Sequence, residues 1–200
     1  MGQYRYKLII FSIILSGIPL AAIGQNKTSQ ELEYKLKAAF LYNFIKFVDW
    51  PEEKDAGDKG KIIIGIIGKN DYKDAFEPVK DKKIKNLETV VKYFNSINEL
   101  EKNKSELNKA SEDMKKCHLL FVCSSEKNNL EDIINIVKNN NVLMVGETED
   151  FLKAGGIINF LLEDNKVRFE INLVAARQSK LTIRSQLLRL ATKVINNEKK

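Results

Sequence analysis

KIIIGIIG, Lys61 to Gly68, is the stretch on which the fold turns. After its lysine it is continuously apolar, rich in β-branched isoleucine and short, so it reads as a strand covered on both faces. Such strands belong to parallel sheets with helices packed above and below.

Upstream lies AAFLYNFIKFVDWP, Ala38 to Pro51, apolar or aromatic ahead of the proline except at Asn43, Lys46 and Asp49, each three residues from the next. A surface helix shows one apolar stripe and a broad polar face, so a helix with this narrow polar seam must be covered nearly all round. Ser29 can cap it and Pro51 can stop it, which predicts a helix from Ser29 to about Asp49. Ala39, Phe40, Asn43 and Phe47 fall on one side and Leu41, Ile45 and Val48 on another. One set is expected on the sheet and the other against a C-terminal helix. The competing reading is a partly exposed surface around Tyr42, Lys46 and Trp50, where aromatics beside a cation suit a partner or an aromatic ligand.

Downstream, extended and helical signals alternate. NDYKDAFEPV suggests a short helix, LETVVKYF a strand, and INELEKNKSELNKASEDMKK a helix or an irregular polar connection. HLLFV and NVLMVG read as strands, with NLEDIINIVKN between them carrying Leu130, Ile133, Ile134 and Val137 at helical spacing. TEDFLKAG predicts a short helix closed by glycine, with Gly155-Gly156 supplying the positive φ that its exit needs. GGIINFLLEDNKVRFEINL predicts a β-hairpin turning at Asp164-Asn165, and a last helix is expected from about Arg184 to Asn196. The whole predicts an α/β fold: three layers, a mainly parallel sheet with helices on both faces, and a C-terminal antiparallel hairpin.

The 200 residues, 44% hydrophobic and 30% charged, suit one globular domain and exclude a disordered or coiled-coil chain. The first 24 have the layout of a secretory signal: Arg5 and Lys7, an apolar run from Leu8 to Ile18, Pro19, then small residues at Ala22 and Gly24. That run is short for a spanning helix. Cleavage after Gly24 would leave Gln25–Lys200 as a single domain outside the cytoplasm, and no cysteine follows the cut to carry a lipid. Net charge is +6, and loss of Arg5 and Lys7 with the signal leaves +4. The lysines are scattered among glutamates and asparagines without arginine-aromatic interleaving, which argues against a nucleic-acid partner. Arg177, Lys180 and Arg184 form a second candidate contact cluster, with a run of solvated cations as the blander reading.

Catalytic signatures are scarce. The single histidine, His118, follows Cys117 at the start of a strand, where neighbours point to opposite faces, so the two cannot act on each other as nucleophile and base. Two cysteines and one histidine are too few for a structural zinc site unless carboxylates join them, and no metal or other cofactor is expected. GIIGKND is neither phosphate-cradling glycine pattern. Cys117 and Cys123 flank HLLFV, which when extended spans about 20 Å, whereas a disulfide needs Cα atoms within about 7 Å. The two thiols are therefore expected to stay unbridged.

KAAFLYNFIKFVDWP, CHLLFVCSS, VLMVGETEDFLKAGGIINF and VRFEINLVAARQSKLTIRSQLLRLA, in this order and spacing, resemble the YfiR family of bacterial periplasmic proteins, over Lys37 to about Val194. None of the four blocks is a catalytic signature. The resemblance implies a compact, often dimeric α/β domain that is not an enzyme. It would repress an inner-membrane diguanylate cyclase from outside, and an outer-membrane lipoprotein would relieve the repression. A sensor kinase's external domain is the other regulated partner the family suggests. The residues by themselves also allow a periplasmic small-ligand receptor, because open α/β sheets form crevices at the carboxyl ends of their strands, here near Gly68, Cys123 and Gly146.

Overall fold

The computed structural model describes residues 21–51, 60–69, 73–80 and 82–197, with the side chains of 21–28 and of Val79 left aside. Helix α1 (Ala21–Lys46) leads into a short strand β1 (Val48–Asp49). Strand β2 (Lys61–Ile67), a 3-10 turn (Lys73–Val79), β3 (Lys83–Ile84) and β4 (Leu87–Phe94) follow. Then come α2 (Ile97–Leu100), α3 (Lys104–Lys115), β5 (Leu119–Val122), α4 (Leu130–Val137) and β6 (Leu143–Gly146). The hairpin β7 (Ile158–Glu163) and β8 (Lys166–Asn172) precedes α5 (Leu173–Gln178), β9 (Thr182–Ile183), α6 (Ser185–Leu188) and β10 (Lys193–Ile195).

Eight strands form one sheet in the order β10-β8-β7-β6-β5-β2-β4-β3, and β1 pairs with β9 in a separate antiparallel ribbon. The central pairs β4-β2, β2-β5, β5-β6 and β6-β7 are parallel, while β7-β8 and β3-β4 are antiparallel. This is the expected three-layer α/β fold. The reason lies in β2, whose side chains alternate between two cores: Ile62, Ile64 and Ile66 join the cluster beneath α1, and Ile63 and Ile67 join the one beneath α2, α3 and α4. Both faces of the strand are covered, so neither can carry a polar residue. At the hairpin tip Asp164 and Asn165 both take positive φ, the requirement of a two-residue turn whose twist suits the flanking strands.

Four sequence expectations are corrected. α1 neither starts at Ser29 nor reaches Asp49: it runs from Ala21 and ends at Lys46, because Val48 and Asp49 are drawn into pairing with Ile183 and Thr182. The stretch from Arg184 to Asn196 is not one helix. Only Ser185–Leu188 is helical, and Thr192 then donates from both its amide and its hydroxyl to the Phe169 carbonyl, which steers the chain onto the sheet edge as β10. TEDFLKAG forms successive turns rather than a helix, although Gly155 does take the positive φ expected of it. The faces of α1 also differ: Ala38, Leu41, Phe44 and Ile45 are buried with Val48 beyond them, Phe40 and Phe47 are half-buried, and Ala39 and Asn43 are exposed. The rings that cover α1 come from the hairpin, with Phe44 5.0 Å from Phe169 and 5.6 Å from Phe160 between centroids. The protein's own core thus accounts for most of the apolar surface between Ala38 and Trp50. The signal segment falls mainly outside the described residues, and among those described no helix is long and apolar enough to cross a membrane.

Candidate functional site

α1 is fastened at its middle and at its C-terminal end by polar networks that differ in solvent exposure. The first lies at the carboxyl ends of the parallel strands, where the sequence predicts a crevice. Strand order reverses there, since β2 pairs with β4 on one side and with β5 on the other. Among the described residues, several of the protein's own side chains converge on this edge. Glu147, just past β6, accepts hydrogen bonds from the Ser124 amide (2.8 Å), the Tyr34 hydroxyl (3.0 Å) and the Lys37 ammonium (2.7 Å). Lys37 also pairs with Glu33 one helical turn back. At Gly68 the φ of +105° and a would-be Cβ only 2.5 Å from Ser125 Oγ leave room for glycine alone. The Lys69 amide then donates to that same hydroxyl at 2.8 Å.

Burial and the neighbouring carboxylates set the ionisation of these groups. Burial by itself would lower the pKa of Lys37, but Glu147 and Glu33 outweigh it and hold the ammonium charged. Burial, then the Glu147 charge and hydrogen bond, push the Tyr34 phenol well above its ordinary range. Burial and the charges of Glu147 and Glu126 push the Cys123 thiol up, so it is not a nucleophile at neutral pH. Cys117 lies in the other core cluster, and neither cysteine is in a disulfide. His118 is buried, accepts from the Ile63 amide at 3.2 Å through Nδ1 and lies edge-on to Trp50, which makes it a packing residue.

The second network is a solvent-facing corner where α1, the β1-β9 ribbon and the β3-β4 turn meet. Arg184 grips Asp49 with two parallel bonds, Nε to Oδ2 at 2.9 Å and Nη2 to Oδ1 at 2.6 Å, while its amide donates to the Phe47 carbonyl. Lys85, held at positive φ in the turn after β3, adds an ammonium 3.3 Å from Asp49 Oδ1 and 3.1 Å from the Val48 carbonyl. The Arg184 hydrogen bond, countered by slight burial and reinforced by Lys85, holds the Asp49 carboxyl below the usual range. The Tyr42 hydroxyl donates to the Lys83 carbonyl, and the ammoniums of Lys46 and Lys82 lie 4.1 and 5.4 Å from the centroid of its ring.

Of the sequence-predicted contact residues, Tyr42, Lys46 and Arg184 come together at this corner. Trp50 is buried, its indole nitrogen donating to the Asn141 carbonyl at 3.0 Å, and it meets the corner only through Lys85, 5.8 Å from its ring. Arg177 is used elsewhere: its guanidinium binds the side chain and carbonyl of Asn196, tying α5 to the chain beyond β10. Lys180 is exposed at positive φ in the turn after α5. Sequence reasoning missed Tyr34, Lys37 and Glu147, because nothing local ties a helix lysine to a carboxylate 110 positions away.

A sequence model of the family described as YfiR/HmsC-like matches residues 34–192. None of the curated proteins matches the chain. Among solved structures it is similar to a Streptococcus pneumoniae chain described as an ABC domain in complex with L-Trp, with 12% identity and a TM-score of 0.49 over 72% of this chain and 58% of that one. It is likewise similar to a conserved domain protein of Vibrio cholerae O1 biovar El Tor, with 11% identity and a TM-score of 0.47 over 71% and 57%. The chain thus spans less than two thirds of the length of either structure.

Proposed function

We propose that this chain, which belongs to the YfiR/HmsC-like family, is an exported, non-enzymatic regulator that binds the external part of an inner-membrane diguanylate cyclase and represses it. The observation that carries the reading is the family match across residues 34–192, which spans both networks that fasten α1. Two features of the site support it. The crevice edge is occupied by Tyr34, Lys37 and Glu147, and the only histidine and both thiols are committed to packing. The contact surface in this reading is the corner around Tyr42 and Lys46. An outer-membrane lipoprotein that relieves repression, and a second copy of the chain as dimer partner, complete the arrangement.

An exported protein can reach cytoplasmic chemistry only by shifting the conformational balance of a membrane protein, and the shift is no larger than its differential affinity for the two states. Deleting the gene should raise cyclic di-GMP and the adhesive growth it drives. The full exported chain should reverse this, whereas Gln25–Lys200 expressed without its signal should not. Unchanged cyclic di-GMP on deletion would redirect the assignment to a sensor kinase. Complementation by the cytoplasmic form would refute external contact.

A second reading, a small-ligand receptor, is favoured by a cleft of about 450 Å³ between α4 and α5, floored by Val137, Val142, Met144 and Ile157 and rimmed by Asn135 and Gln178. A metabolite that fills it should raise the melting temperature, because binding the folded state alone stabilises it.

A further inference from the structure

We infer that the corner at the end of α1 recognises an acidic segment of the partner protein, a short stretch of glutamate and aspartate side chains. This rests on the regulatory reading above for the partner's existence, and on the geometry of the corner for its chemistry. The ammoniums of Lys46 and Lys82 lie over the ring of one half-buried tyrosine, Tyr42, whose hydroxyl binds the Lys83 carbonyl, and beside it Lys85 and Arg184 share the Asp49 carboxylate. Arg184 and Lys85 already saturate that carboxylate. Lys46 and Lys82 pair with no carboxylate among the described residues, while Lys83 stands opposite Glu88 across the β3-β4 ladder. The two ammoniums share the Tyr42 ring, so an anion placed there meets two cations at once.

The corner is also preorganised. The Arg184 fork, the Lys85 bridge to Val48 and the Tyr42–Lys83 hydrogen bond fix three separate elements relative to one another, so the backbone that carries the lysines is set before binding. An acidic protein segment fits better than an anionic lipid surface, because interfacial binding combines cations with inserted apolar side chains. The large apolar side chains that the described residues expose are Leu32, Leu36, Leu162, Leu190 and Val194, and none belongs to this corner.

The test uses the purified full exported chain and a fluorescently labelled oligoglutamate peptide, read by anisotropy, with oligoasparagine as the uncharged control. Saturable binding of oligoglutamate alone is expected, lost as salt screens exposed charges. Lys46→Gln/Lys82→Gln/Lys83→Gln should bind about tenfold more weakly or worse, with an unchanged melting temperature. Absence of binding, equal binding by the triple variant, or binding of phosphatidylglycerol vesicles in place of the peptide would each overturn the assignment. The same variant in the chromosome separates the two ideas. If it loses peptide binding yet represses cyclic di-GMP fully, the corner does not hold the partner and the assignment is overturned, while the regulatory reading stands.

Discussion

The middle of α1 and its C-terminal end are fastened by the same chemistry under opposite conditions. At the sheet edge, the side chains of Lys37 and Glu147 are 8% and 4% exposed; at the corner, those of Arg184 and Asp49 are 46% and 43% exposed. Bond lengths do not separate them, since the shortest contact is 2.7 Å in one pair and 2.6 Å in the other. Desolvation does. A charge taken out of water has only its partner and its hydrogen bonds to offset the loss, so removing that partner is costly, whereas an exposed charge falls back on solvent. Geometry alone therefore misleads about which network holds the helix. The sheet-edge network acts as a structural clasp, and the corner is free to serve recognition.

The largest expected effect tests the clasp. Lys37→Met leaves Glu147 buried with no cation and should cost about 3 to 5 kcal/mol in denaturant unfolding. Lys37→Met/Glu147→Gln keeps an acceptor for Tyr34 and Ser124 while removing both charges, so it should recover most of that loss. A single-variant cost no greater than that of an exposed pair would erase the distinction between the two networks.

The same distinction explains what the sequence could and could not disclose. β2, β5, β6 and the β7-β8 hairpin were legible because burial on a sheet demands continuous or alternating apolar residues, and the Asp164-Asn165 turn demands residues that tolerate positive φ. These are local requirements. The ends of α1 and the C-terminal segment were not legible, because each is set by distant partners. Val48 and Asp49 leave the helix to pair with residues more than 130 positions on, and Thr192 is captured by Phe169. Leu187 is buried while Leu190 and Val194 are exposed, so the apolar spacing that suggested a single helical face serves a short helix and then an edge strand. Tyr42 and Lys46 were found because they share a helix face; Lys82, Lys83 and Lys85, which complete the corner, come from another part of the chain.

A smaller effect sharpens the other side of the comparison. Asp49→Asn removes the corner's carboxylate but leaves its cations in water, and should cost less than about 1 kcal/mol. That cost should shrink further in high salt, because exposed charges are screened. The Lys37→Met cost should be nearly independent of salt. If the two variants showed the same salt dependence, the buried pair would be reached by solvent and the clasp would be no more than a second surface pair.

The smallest effects separate the networks by pH, and their signs are opposite. Lys37 has its folded-state pKa raised, so its contribution is complete below the ordinary lysine value and is lost as pH rises through the folded value. Tyr34, raised by burial and by Glu147, adds to the same alkaline loss, since its phenol ionises more readily once unfolded. The stability gap between wild type and Lys37→Met should therefore be widest at neutral pH and narrow in alkali, where the wild-type ammonium also gives up its charge. Asp49 has its folded-state pKa lowered, so its contribution is present above the ordinary carboxylate value and is lost as pH falls through the folded one. The small gap between wild type and Asp49→Asn should accordingly persist in alkali and vanish in acid. Denaturant midpoints for the three proteins across the pH range would show the buried network loosening in alkali and the exposed one holding there. Loss of the Asp49→Asn gap in alkali together with the Lys37→Met gap would mean that the two networks titrate together and that α1 is not held by independent fastenings.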